Sequence, residues 1–168
     1  MIFLKIFNLG AIFLLCIYIG YYKAKLCEER VIELQKFLSG IMVFKNKVEF
    51  TYEPINCIFE DISNLIYGNK ENVFRVVQNN KENIDINALW ESAADKIVNI
   101  NNEDKEIIKM FGKLLGKTDI KGQLSQIELT TKLIEKQIEK AECEKNKNFK
   151  VYKTMGMVLG IGICIILV

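Results

Sequence analysis

Residues 6–22 read IFNLGAIFLLCIYIGYY, seventeen positions without a charge, and residues 155–168 read MGMVLGIGICIILV. As a helix the first stretch reaches about 25 Å, a little short of a hydrocarbon core of about 30 Å. Lys5 on one side, and Lys23 with Lys25 on the other, can snorkel to close the gap. A cleaved signal peptide is the rival reading, but no A-x-A pattern follows, and FLL at 13–15 before Cys16 is not a lipoprotein cleavage box. The second stretch gives only about 21 Å of helix, the length of a buried core helix. Its place at the chain end decides for a membrane span, with Val151 and Tyr152 dipping into the interface to lengthen it.

The charges support that assignment. Net charge is only +2, but every Asp and Glu lies between Glu28 and Glu144, whereas Lys23, Lys25, Lys145, Lys147, Lys150 and Lys153 form a cationic collar beside the two apolar stretches. Excess lysine next to a span marks the cytoplasmic face, so the segment between the spans is expected in the cytoplasm. Such a collar is drawn to anionic lipid headgroups by about 1 kcal/mol per residue near the surface. Nothing in the charge balance favours nucleic acid. Gly156 with Gly160, and Cys16 with Gly20, have the small-xxx-small spacing that lets two spans pack closely. The domain boundaries expected are therefore 1–24 for the first span, 25–153 for a cytoplasmic helical domain and 154–168 for the second span.

One proline, Pro54, leaves long stretches of this domain free of helix breakers. Leu34, Phe37, Ile41, Phe44 and Val48 alternate three and four apart and make one helical stripe. Pro54 suits the first turn of a second helix through Ile55, Ile58, Phe59, Ile62, Leu65 and Ile66, which Gly68 stops. A short helix is expected over 73–77. Asn87 is placed to cap a fourth carrying Leu89, Trp90, Ala93, Ala94, Ile97 and Val98, and Asn101 or Asn102 to cap a fifth with Glu103, Asp104 and Glu106 near its start. Gly116 is read as the stop of the fifth helix and Asp119 as the cap of the last. In that last helix Leu124, Ile127, Thr131, Ile134, Ile138 and Ala141 form a coiled-coil-like stripe that continues unbroken towards the C-terminal span. The fold expected is all-α: about six helices in an antiparallel bundle, with long first and last helices continuing into two terminal transmembrane segments.

Chemistry finds little to work with. Without a single histidine the chain has neither the usual general base nor the commonest zinc ligand. Its five cysteines share no metal-ligand spacing, and no disulfide framework is expected of them in a reducing compartment. Residues 112–118, GKLLGKT, look like a phosphate loop but have three residues between the glycines where four are needed, and they follow a helix rather than a strand. No catalytic, cofactor or metal residues are assigned. Lys105, Lys109, Lys113 and Lys117, four apart, make a basic ridge along the fifth helix. It reads either as a solvated face or as a docking surface, the latter making the chain a membrane-tethered adaptor that recruits an acidic cytoplasmic partner.

The residues from Arg30 to Pro54, then Phe111-Gly112, Leu115-Gly116, Asp119 and Gln123, then the lysine-rich run into Gly156 and Gly160, resemble the stage III sporulation protein AB family of endospore-forming bacteria. The likeness covers essentially the whole chain and is strongest around Leu115-Gly116-x-x-Asp119-x-x-x-Gln123. It implies a component of the complex spanning the mother-cell and forespore membranes. It further implies a soluble domain like the cytoplasmic domains of the inner-membrane platform protein of type II secretion and type IV pilus machines. By that likeness the chain is a non-catalytic platform in the mother-cell membrane, and its partners are a secretion-type ATPase and other stage III proteins. Oligomeric state, a homo-oligomer included, is left open.

Overall fold

A computed structural model describes the backbone of residues 2–51, 53–68, 70–79, 85–113, 115 and 120–167, and the side chains of these except 2–9, 149, 150, 153, 156, 160, 164, 166 and 167. All regular structure among the described residues is helical: α1 (Ile2–Phe50), α2 (Ile55–Ile62) running into a π-helical turn (Ser63–Tyr67), α3 (Val73–Gln78), α4 (Ile86–Asp95), α5 (Asn102–Lys113) and α6 (Ile120–Leu167). The chain divides into two compact units. Ile32–Glu139 is the bundle, and Met1–Val31 with Lys140–Val168 is the end unit, each taking part of α1 and part of α6.

The bundle is built on the stripe read from α1, for Leu34, Phe37, Ile41, Phe44 and Val48 are all buried. Six rings from five helices meet at its centre. Trp90 of α4 lies 5.4 Å from the Phe74 and Phe111 rings and 5.7 Å from Phe59, while Phe37 and Phe44 close the cluster from α1. Edge-on and tilted pairs of this kind add about 0.5–1.5 kcal/mol each beyond the area they bury. The one polar atom of the Trp90 ring is satisfied, since Nε1 donates to the Ile108 carbonyl at 2.7 Å.

Helix ends follow local hydrogen bonding. Asn72 caps α3, accepting from the Arg75 amide at 3.1 Å. A reciprocal box starts α5: Asn101 Oδ1 accepts from the Asp104 amide, and Asp104 Oδ2 accepts from the Asn101 amide. At α4 the cap is Asp85 rather than Asn87, and Asn87 becomes its donor through both backbone N and Nδ2. Both residues are short and polar, and the helix begins two residues earlier than a cap at Asn87 implies. Pro54 sits at the N-cap of α2, outside the first turn, and its carbonyl accepts from the amides of Cys57 and Ile58.

Two apolar patterns are altered. The π-helical turn adds a residue's worth of rotation after Ile62, so Leu65, which continues the α2 stripe in sequence, is exposed. Gly68 then ends the segment at φ +60, a conformation that residues with a Cβ rarely adopt. Along α6 the buried line is Ile127, Thr130, Ile134, Gln137 and Ala141. It keeps the three-four alternation but takes polar Thr130 and Gln137 in place of Thr131 and Ile138, which are half-buried. Thr130 is accommodated because its hydroxyl donates to the Gln126 carbonyl at 2.9 Å.

Burial in the end unit is of another kind. On α1 it involves Gly20, Ala24, Arg30 and Val31. Leu14, Tyr18, Ile19, Tyr21 and Tyr22 on α1, and Met155, Val158, Leu159 and Ile165 on α6, stand exposed. The described part of α1 from Gly10 is long and apolar enough to cross a membrane, and only 11% of its most apolar window is buried. The two helices are tied by charge: Arg30 Nη1 donates to Glu144 Oε2 at 2.5 Å, and Lys145 Nζ to Glu28 Oε1 at 3.0 Å.

Candidate partner-binding surfaces

The positions singled out around the α5–α6 link divide into three groups. Phe111, Leu115 and Gln123 come together with Phe44, Gln126 and Ile127 around a void of about 10 Å³. Gly112 faces the other way, into the aromatic cluster: a Cβ there would stand 2.1 Å from Trp90 Cδ1. The first glycine of the GKLLGKT stretch is therefore a helical residue that makes room for an indole. Gly116, Lys117 and Asp119 lie outside the described residues.

The basic ridge is turned towards α4. Lys105 Nζ donates to the Asp95 carbonyl at 2.6 Å, at the negative end of the α4 dipole. Lys109 Nζ lies 2.8 Å from Asp95 Oδ1 and 3.0 Å from Glu106 Oε1, and Lys113 is 3.4 Å from Glu91 Oε1. The hydrogen bonds that Lys109 donates to Asp95 and Glu106, more than their charges alone, raise its pKa to about 12. Three of the four ridge lysines thus bond to residues of α4. The signal was present in the sequence, since Glu91 and Asp95 are themselves four apart on the neighbouring helix.

Similar bridging secures the far end of α1. Lys47 joins Glu53 in the connection and Asp61 on α2, at 2.6 and 2.5 Å, and these hydrogen bonds raise its pKa, Asp61 contributing most. In the collar, Lys25 lies 3.7 Å from Glu29 and Lys145 bonds Glu28, while Lys23 and Lys147 are exposed. The side chains of Lys150, Lys153, Gly156 and Gly160 lie outside those described. Cys16, Cys27, Cys57 and Cys143 are free thiols, and no metal-ligand cluster occurs among the described residues.

Sequence reasoning missed a groove in the bundle. Its volume is about 310 Å³, and Val73, Val76, Ala93, Ile97 and Val98 give it an apolar floor. Glu33, Glu71 and Lys96 stand among the residues that line it, with Tyr67 and Asn72. Tyr67 is delivered by the π-helical turn, and its phenol pKa is pushed up by burial and by the nearby Glu33 carboxylate. The π-helical turn has no signature in apolar periodicity.

Comparison with known proteins gives one consistent result. The family profile described as stage III sporulation protein AB matches residues 5–168. A curated relative, the stage III sporulation protein AB of Bacillus subtilis (strain 168), is 22% identical over 166 residues, covering 95% of this chain and 97% of the relative. A solved structure of a stage III sporulation protein AB superposes with a TM-score of 0.63 at 18% identity, over 71% of this chain and 98% of the other. At that identity the structural likeness speaks for the fold.

Proposed function

Since the chain belongs to the stage III sporulation protein AB family, we propose that it is a non-catalytic membrane platform in the complex between mother cell and forespore. In this reading two terminal spans anchor it in the mother-cell membrane facing the forespore, and its bundle lies in the cytoplasm. There it receives a secretion-type ATPase and other stage III proteins. The observation that carries the reading is the extent of the family match, which takes in the apolar N-terminal stretch and the bundle together. An exposed apolar helix continuous with a bundle packed on aromatic rings fits an anchor-and-platform design.

The collar gives the anchor its orientation. Lys23 and Lys147 stand exposed beside the apolar stretches, where positive charge is attracted to anionic headgroups. The polar ties between α1 and α6 in the end unit fix the register of the two helices. A one-residue slip would strand Arg30, whose side chain is only 9% exposed.

Two measurements test the proposal. Protein solubilised from sporulating cells in mild detergent is expected to co-purify with a stage III ATPase, and deletion of the gene to abolish spore formation. Normal spore counts in the deletion strain would sink the sporulation role. Spore loss without any retained ATPase would sink the platform reading alone.

A further inference from the structure

We propose that the groove of the bundle between the π-helical turn, α3 and the end of α4 is a docking site for an amphipathic helical segment of a partner protein. That segment carries an aliphatic side chain flanked by one basic and one acidic residue. The inference rests on reading the chain as an assembly component, and it names a surface and a chemistry which that reading does not.

The floor sets the aliphatic requirement. Val73, Val76, Ala93 and Ile97 present branched or small side chains without a polar group, and about 310 Å³ is room for more than one aliphatic side chain. Val98, at the edge, is 71% exposed although β-branched and apolar. It is held there by the connection to α5, where Asn99 takes φ +67. Asparagine adopts that conformation more readily than most residues, so the turn that leaves Val98 exposed carries little strain.

The lining charges set the flanking residues. Glu33 is already met by Lys36 at 3.1 Å, and Lys36 also lies 5.9 Å above the Tyr67 ring. Glu71 and Lys96 are exposed, and neither has an ion-pair partner among the described residues. One unpaired anion and one unpaired cation beside an apolar floor complement a helix that carries both signs beside its anchor, as i,i+4 spacing provides. An anionic lipid or nucleic acid finds no net positive charge here. Protonated at neutral pH, the Tyr67 hydroxyl is a further donor to the incoming chain.

The test places the photoreactive residue p-benzoylphenylalanine at Val98 in the full-length protein, in sporulating cells, with Leu65 as the control. Leu65 is equally exposed but lies outside the groove. Position 98 is expected to crosslink to one protein, and the linked peptide to be a helical segment with Leu, Ile or Val between a base and an acid. Glu71→Lys and Lys96→Glu are each expected to lower the yield about two- to fivefold, and the double exchange to leave it low. Near-UV circular dichroism of Trp90 checks that each variant is folded; should one not be, Glu71→Gln and Lys96→Gln replace it. The proposal is overturned by crosslinks to lipid, to a second copy of this chain or to a segment without that pattern, and equally by no crosslink at 98 above the control. Restoration of the yield by the double exchange also overturns it, because Glu71 and Lys96 would then serve only each other. Each outcome is read in a strain that still makes spores, so it stands apart from the deletion test of the platform role.

Discussion

The bundle and the end unit use the same two helices, and they solve opposite problems with them. In the bundle, α1 turns Leu34, Phe37, Ile41 and Phe44 inward against four other helices, and its apolar side chains are spent on a core. In the end unit the inward positions are small or charged, such as Gly20, Ala24 and Arg30, while the large apolar side chains Leu14, Tyr18 and Tyr22 face outward. One helix thus carries two layouts, apolar stripe inward in the bundle and large apolar side chains outward in the end unit, the second being what a lipid environment would favour.

The sharpest way to break the comparison is at Trp90. Replacing it with alanine removes a fully buried ring and its hydrogen bond to the Ile108 carbonyl, and is expected to cost the bundle about 3–5 kcal/mol. The protein should nonetheless remain in the membrane fraction, as differential centrifugation with carbonate washing will report. The mirror experiment is Leu14→Arg, which puts a charge at the middle of the N-terminal stretch. It is expected to disfavour insertion by about 2.5–3.5 kcal/mol, read as protein lost from that fraction, with the melting of the detergent-solubilised bundle unchanged.

A matched pair of glycines comes next. Gly112→Ala drives a Cβ into the Trp90 ring and is expected to destabilise the bundle by about 1–3 kcal/mol in urea unfolding. Gly10→Ala meets nothing within 4 Å and is expected to shift stability by less than about 0.5 kcal/mol. Equal effects would mean that the two regions do not differ in packing as described.

The smallest effect is alkaline. Lys47, Lys109 and Tyr67 all bind their protons more tightly in the folded bundle than an unfolded chain does. Their contributions are complete below about pH 10 and fade as pH rises towards about 12, where Lys109 titrates. Melting temperature of the bundle should fall over that window, and Lys109→Met should remove part of the slope. A slope untouched by the substitution would show that the Asp95 and Glu106 contacts contribute nothing to stability.

Much of this could be read from the residues. The α1 stripe, the stop at Gly68 and the cap at Asn101 follow from spacing and side-chain chemistry, and each stands where expected. Other features depend on geometry that periodicity does not encode. Leu65 looks like core until the π-helical turn rotates it out. Thr130 and Gln137 look like surface until their neighbours on α6 are seen to flank a buried line. Gly112 was read only as part of the GKLLGKT stretch and the family pattern, and what it makes room for is the Trp90 indole on another helix, which no local pattern reports. The groove escaped for the same reason, since its floor collects residues from three separate segments.

Trp90 is the chain's single tryptophan, and it lies wholly within the bundle. Its ultraviolet emission is therefore a private optical signal of that unit, silent about the end unit. Fluorescence can follow the bundle melting in detergent or lipid without any label, and a spectral shift on adding a partner would localise the disturbance to the aromatic centre and not the end unit.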